Sequence, residues 1–427
     1  MSGRFVRSAA LFAALSAFAW AGASEDAALL EEAHDGATAA LANSLSERFS
    51  AEELAKGVHV SRGPQFLFAV RSAERPTLHI DDAPATATGV QLEPRDLWVF
   101  VTELETGRSH AFQFFADGKE LGPRTDVRAY TADHYVEPGI PQGEVFGPFE
   151  HTSEIYPGMT STWWYYVSPG VGPEEPAALM VWQDGQKYAG HDQPSRLLEV
   201  TENLVAEKRI PPLVHLLIQP GMVGDQRMRS IEYDTVDDSY VRFVTEEILP
   251  LAERRQKIRS DAYSRAIAGE SSGGIASLNA AWQRPDLFAR VLSRIGSYTA
   301  IAWRSKAEKG DDLLVSGHTL PFLVRKADKR NIRVWMEDGA MDLENSHGSW
   351  PLQNIQLANS LKMREYDFRF RFGNAQHNTT NGDSMLPEAL SWLWRDYDPS
   401  KTEQAFEMDP AEREKPYFRV ERLNRSE

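Results

Sequence analysis

The stretch Ala266-Ile267-Ala268-Gly269-Glu270-Ser271-Ser272-Gly273-Gly274-Ile275-Ala276-Ser277-Leu278 leaves few folds open. Ala266 to Ala268 reads as the end of a buried strand, and small residues of helical character begin at Gly273. Between them, Gly-x-Ser-x-Gly centres on Ser271. A serine on so tight a strand-to-helix turn holds a strained backbone, so its close neighbours must lack bulk. Gly269 and Gly273 supply that room, and Ser272 and Gly274 are also small. The turn lifts the Ser271 hydroxyl above the sheet edge. The new helix aims its N-terminus at the same spot, where backbone N–H groups stabilise an oxyanion. The bland alternative is a glycine-rich loop between a strand and a helix.

The chain has 427 residues, enough for a large core and a second domain. Lys and Arg total 46 against 62 Asp and Glu, a net charge of -16. That excess disfavours nucleic acid and anionic membrane surfaces as partners. Cysteine is absent, which excludes disulfides, a thiolate nucleophile and Cys-ligated metal. Arg4 and Arg7 precede an apolar run from Ala9 to Ala21, followed by the small residues Ala21-Gly22-Ala23. Residues 1–23 are thus expected to be a bacterial-type signal peptide, with a periplasmic or secreted product and no membrane association after cleavage. A retained N-terminal anchor is the rival.

Residues 24–57 carry apolar residues at helical spacing and no visible chemistry. From Phe66 the period becomes strand-like: Phe66 to Val70, Thr77 to Ile80, Leu97 to Val101 and His110 to Phe115, with a hairpin signal at Asp117-Gly118. Residues 58–135 therefore read as a small all-β sandwich. The Trp98…Gly107…Phe114…Asp117-Gly118 pattern resembles immunoglobulin-like early-set modules. Such a module is expected to act as a lid over an active-site mouth or as a glycan anchor. A Pro- and Gly-rich linker is expected at 136–150, and a charged, loose tail at 399–427.

Residues 151–398 alternate strand and helix patterns, which implies a mostly parallel sheet covered on both faces. Strands are expected at 162–167, 177–182, 213–218, 290–293, 332–336 and 368–372, and helices at 192–208, 238–254, 273–284, 351–364 and 386–396. Asp184-Gly185-Gln186 follows a strand end, where a glycine lets the backbone aim an N–H at the reaction centre. The amides of Gln186 and Ser272 are the expected oxyanion pair. An acid after a late strand and a histidine after the last one complete Ser-Asp-His in chain order. His377 fits the histidine. Asp342 and Asp338 compete for the acid; Asp342 is preferred, because Asp338, nearer the strand, suits a turn.

The loop Trp182-Gln183-Asp184-Gly185, the run Arg229-Ser230-Ile231-Glu232-Tyr233-Asp234, Glu247-Ile248-Leu249-Pro250, the Ser271 turn, Asp286-Leu287-Phe288-Ala289-Arg290-Val291, and Gly339-Ala340-Met341-Asp342 with His377 form one ensemble. Over about 150–397 it resembles the enterochelin-esterase branch of the esterase D family, within the α/β-hydrolase fold. The resemblance implies an α/β fold, a serine carboxylic-ester hydrolase working through an acyl-enzyme, Asp342 as the acid, and no metal or cofactor. It also places Arg229, Glu232 and Tyr233 near the active-site mouth. With Asp184, Gly185 and Trp350 they are the expected substrate contacts. A buried salt bridge anchoring the loop is the competing role for the Arg229 cluster, and a helix-capping loop that for the stretch before Pro351. The sequence departs from the family at Ser272, where relatives often carry a larger residue, and at Asn374-Ala375-Gln376 before His377.

Two substrate classes suit such a chain: a siderophore ester of the enterochelin type and a glycan-linked acyl ester. An acyltransferase with the same triad and a non-catalytic binding protein are the alternatives.

Overall fold

The computed structural model describes residues 26–34, 36, 39–93, 96–172, 174–191, 193–303 and 316–419. The expected signal peptide, 1–23, lies outside them. The chain divides into two compact units. The first holds the described residues through Val136 with His191–Glu199 and Asp383–Pro387. The second holds Glu137–Gly190, Val200–Gly382 and the described residues from Glu388 onward.

In the first unit, β1 (Val58–Arg62), β2 (Gln65–Arg71), β5 (Val90–Leu92) and β6 (Leu97–Glu103) form one antiparallel sheet in the order β1-β2-β6-β5. The second sheet contains β3 (Thr77–Ile80), β4 (Ala83–Pro84), β7 (Arg108–Ala116), β8 (Lys119–Glu120) and β9 (Thr125–Ala129). Phe66, Phe68 and Val70 face Phe112, Phe114 and Val127 in one core. Leu67 and Ala69, on the opposite face of the same strand, pack with Leu41, Leu45 and Leu54. Those leucines come from the helices Ala39–Arg48 and Ala51–Lys56, the second of which Ser50 and Glu53 close with a capping box. The helical segment thus covers the outer face of the first sheet. Asp117 and Gly118 both take positive φ, 48° and 72°, as a tight hairpin turn between β7 and β8 requires.

The second unit is built on β10 (Glu144–Thr152), β11 (Thr160–Val167), β12 (Ala178–Gln183), β13 (Leu213–Ile218), β14 (Met222–Val223), β15 (Gln226–Arg227), β16 (Arg265–Glu270), β17 (Arg290–Arg294), β18 (Arg333–Met341) and β21 (Asp367–Gln376). A small separate hairpin, β19 (Glu344–Asn345) with β20 (Gly348–Ser349), follows β18. The sheet order is β15-β14-β11-β13-β12-β16-β17-β18-β21, with β10 added on β11. Neighbours from β13 to β21 are parallel, whereas β11 runs antiparallel to β13 and β10 to β11. This is the α/β-hydrolase arrangement. Every residue of β12, β13, β16 and β17 is buried, as expected of central parallel strands covered on both faces.

Two expectations change. The second half of the segment read as a linker is strand: β10 occupies Glu144–Thr152, with a register shift between Phe146 and Phe149. Gly147-Pro148 looks like a breaker in the sequence, but an edge strand tolerates proline at a bulge. The described part of the tail, 399–419, is also not loose. Phe406 and Met408 are buried, Asn331 bonds the backbone of Gln404 and Phe406, and Asn359 makes two bonds to Phe418. Its few apolar residues are spaced along the tail and docked singly, so no periodic pattern announces them.

Candidate active site

Ser271 stands between the end of β16 and the helix Ser272–Gln283, with φ 59° and ψ -122°. Such a backbone persists only when its surroundings over-determine it. Ser271 N donates to Arg294 O on the neighbouring strand, and Ser271 O accepts from Gly274 N and Ser297 N. A Cβ on Gly269 would lie 2.4 Å from Gly273 O and 2.7 Å from Gln183 Oε1, so only glycine lets the strand end and the first helical turn approach this closely.

Ser271 Oγ lies 2.9 Å from His377 Nε2, and His377 Nδ1 lies 2.6 Å from Asp342 Oδ1. Asp342 Oδ1 also accepts from Leu343 N. An ionised carboxylate accepts only, so Nδ1 carries the proton and Nε2 presents its lone pair to the serine. This geometry allows His377 to withdraw the Ser271 proton. The ring of Trp350 stands edge-on to the imidazole at 5.6 Å between centroids. Asp338 does not reach His377. It is buried, and burial first, then the Asp342 carboxylate beside it, push its carboxyl well above the usual range.

The loop after β12 closes the site from the other side. Asp184 holds a left-handed conformation, φ 53° and ψ 38°, before the single turn Gly185–Lys187. A Cβ on Gly185 would meet Ile218 N at 2.2 Å, which seats this turn against β13. One on Gly273 would meet Gln183 Cβ at 3.1 Å, so the loop after β12 and the Ser271 turn are neighbours. Ser272 is the first helical residue, and Gln186 lies in the middle of the short turn. Neither amide has an acceptor within its own helix, which leaves both N–H groups able to serve an outside oxygen.

The expected substrate contacts prove mostly internal. Arg229 Nε and Nη2 grip the Asp184 carboxylate at 2.7–3.1 Å, and Nη2 reaches Glu270 O at 3.3 Å. Asp184 is 1 % exposed, and its N–H bonds the hydroxyl of fully buried Tyr233. Glu232, equally buried, accepts from Gly221 N. Burial raises its carboxyl to about 7. Asp184, Glu232 and Tyr233 thus sit buried within the loop and bond its own groups, while Glu232 Oε1 is enclosed without a hydrogen-bond partner. Arg229 retains partial exposure. Trp350 is 2 % exposed and donates to Ser297 Oγ at 2.9 Å. It is a wall behind the histidine, not an open pocket surface.

Sequence reasoning missed Ser297. Its Oγ lies 3.1 Å from Ser271 Oγ, and the residue is wholly buried on the turn after β17. The available signal was Gly296-Ser297 directly after a strand, beside the strand that carries the serine turn. Elsewhere in this unit, a cleft of about 700 Å³ opens at the amino ends of the strands, lined by Ala177, Pro212, Arg259 and Trp394. It shares no residue with the Ser271 surroundings. Open α/β sheets bind their ligands at the carboxyl ends, where Ser271, Asp342 and His377 converge.

Residues 165–386, just over half of the chain, match the family model Esterase, described as "Putative esterase". The chain is 33% identical over 137 residues to an iron(III) enterobactin esterase of Dickeya dadantii, covering 32% of this chain and 29% of that one. It is 28% identical over 161 residues to an iron(III) enterobactin esterase of Escherichia coli K12, covering 38% and 37%. The matches thus span about a third of the length of these curated relatives. Among solved structures, an enterobactin esterase from Shigella flexneri, determined in the presence of enterobactin, superimposes with TM-score 0.53 at 18% identity over 80% of this chain and 96% of that one. At that identity the likeness concerns the fold. The chain belongs to the esterase family, within which it resembles the enterochelin esterase-like branch.

Proposed function

We propose that the protein is a serine carboxylic-ester hydrolase with Ser271 as nucleophile, His377 as general base and Asp342 as the acid that fixes the imidazole tautomer. The observation that carries this is the 2.9 Å approach of Ser271 Oγ to His377 Nε2 at a serine held on a strained strand-to-helix turn. His377 takes the Ser271 proton as Oγ attacks the ester carbonyl, then returns it to the departing alcohol. The N–H groups of Gln186 and Ser272 receive the carbonyl oxygen as it gains charge; each such donor is worth about 10²–10³ in rate. Water, deprotonated by His377, then releases the acid from Ser271.

The substrate proposed first is a siderophore ester of the enterobactin type, because relatives 33% and 28% identical over part of the chain carry that name. A glycan-linked acyl ester comes second. Export belongs to the same proposal, supported by Arg4, Arg7 and the apolar run Ala9 to Ala21. The test is hydrolysis of p-nitrophenyl acetate, a catecholate trilactone, methyl ferulate and acetylated xylan by wild type and Ser271→Ala. Loss of all activity in a Ser271→Ala protein with native circular dichroism is expected. Wild-type rates in that variant would rule out Ser271 as nucleophile, and a trilactone turned over no faster than p-nitrophenyl acetate would rule out the first substrate class.

A further inference from the structure

Ser297 touches Ser271 twice: its N–H donates to Ser271 O at 3.0 Å, and its Oγ lies 3.1 Å from Ser271 Oγ. The other partner of Ser297 Oγ among the described residues is Trp350 Nε1, at 2.9 Å. An indole nitrogen only donates, so Ser297 Oγ accepts there. The Ser271 hydroxyl has two partners, His377 Nε2 and Ser297 Oγ. If it donated to Ser297, the Ser297 proton would be left without an acceptor in a fully buried site, which carries the desolvation cost of an unmade bond. The indole therefore sets the direction of the chain: Trp350 N–H to Ser297 Oγ, Ser297 O–H to Ser271 Oγ, Ser271 O–H to His377 Nε2.

The surroundings keep this arrangement fixed. Asn354, one helical turn beyond Trp350, donates its Nδ2 both to Trp350 O and to Gly296 O. Tyr298, on the other side of Ser297, buries its hydroxyl against Ser293 Oγ at 2.6 Å. The helix that begins at Trp350 thus holds the Ser297 hydroxyl and the preceding carbonyl together.

We infer that Ser297 is a further catalytic residue, a fixed hydrogen-bond donor to the nucleophile oxygen, and that Trp350 is the positioning residue that orients it. This rests on Ser271 being the nucleophile. In acylation the Ser271 proton passes to Nε2 while Oγ bonds to carbon. In deacylation the Oγ–C bond breaks, its electron pair returns to Oγ, and Nε2 gives the proton back. Ser297 neither gains nor loses a proton. A donor on Oγ lowers its basicity, so it helps most when Oγ leaves and less when it attacks.

The test is steady-state and burst kinetics with p-nitrophenyl acetate for Ser297→Ala, Ser297→Cys, Trp350→Phe and the Ser297→Ala/Trp350→Phe double variant, each checked by circular dichroism. Ser297→Ala is expected to lose about 10–100-fold in kcat, with kcat/KM falling much less, so that KM drops and acyl-enzyme accumulates. Ser297→Cys keeps the shape but offers only a weak S–H donor, and should lose nearly as much. Trp350→Phe should show the same pattern at about 3–10-fold, and the double variant should be no worse than Ser297→Ala. Wild-type kcat in Ser297→Ala, full activity in Ser297→Cys, or an equal fall in kcat and kcat/KM would each overturn the inference. Retained esterase activity in Ser271→Ala would instead overturn the function beneath it, so the two failures are distinct.

Discussion

Asp342 and His377 are 35 residues apart in the chain, yet Oδ1 of one lies 2.6 Å from Nδ1 of the other. Their meeting follows from β18 and β21 being parallel neighbours. The register runs Arg333 to Asp367 through Gly339 to Gly373, then shifts before Met341 pairs with Gln376. A Cβ on Gly339 would sit 2.2 Å from Ala375 O, so the strand ends are pressed together where the acid and the histidine leave the sheet.

Asp342→Asn and Asp338→Asn should therefore behave differently. An amide at 342 favours the wrong imidazole tautomer, and losses near 10⁴ in kcat are expected. Burial, and then the neighbouring Asp342 carboxylate, push the Asp338 carboxyl well above its usual range, so a neutral amide of the same shape should change kcat only a few-fold. Rates for p-nitrophenyl acetate on both variants check this, and the reverse ordering would refute it.

Arg229→Ala should destabilise the protein by about 3–5 kcal/mol, since Asp184 is left as a buried, poorly compensated charge. The same arginine bridges the Gln186 loop to Glu270 O, next to the serine, so kcat should fall as well. Arg229→Lys should not restore either property, because one ammonium cannot copy the two-nitrogen grip. Urea denaturation together with kcat measures both effects; unchanged stability in Arg229→Ala would show that Arg227, 3.9 Å from Asp184, suffices alone.

Glu232 makes stability fall as pH rises. Its folded value is raised to about 7 from 4.5 by burial, so between those values the folded state holds a proton that the unfolded state has released. Stability is highest below about 4.5 as far as this group is concerned, declines up to about 7 and is flat beyond. The decline is on the order of 3 kcal/mol. Glu232→Gln should remove it and raise the melting temperature at pH 8 relative to wild type. A variant that melts lower than wild type at pH 8 would contradict this.

Gly269→Ala should damage the serine turn directly. The added Cβ would press on Gly273 O and Gln183 Oε1, both part of the frame around Ser271. Overpacking of this kind costs about 1–3 kcal/mol, and the shift it forces should cost activity out of proportion to stability. Thermal melts and kcat for the variant, measured side by side, test the disproportion.

The sequence by itself determined the serine turn, the parallel sheet and the histidine after its last strand. These are local: spacing of small residues fixes where a strand can turn into a helix, and apolar runs between polar segments fix where strands lie. It left Asp338 and Asp342 as rivals, because both follow the same strand and only the shifted register against β21 decides which one meets His377. It also could not separate a ligand contact from a buried clamp in Asp184, Glu232 and Tyr233, since the same polar residues serve either use until burial is known. Ser297 went unassigned for a related reason, since a small residue after a strand does not show which strand end it will meet. It lies 26 residues from Ser271 and reaches it only because β16 and β17 run parallel with Glu270 opposite Arg294, which puts both serines on turns at adjoining strand ends. Side chains on different strands meet according to register and helix packing, and neither is written in the pattern of any one segment.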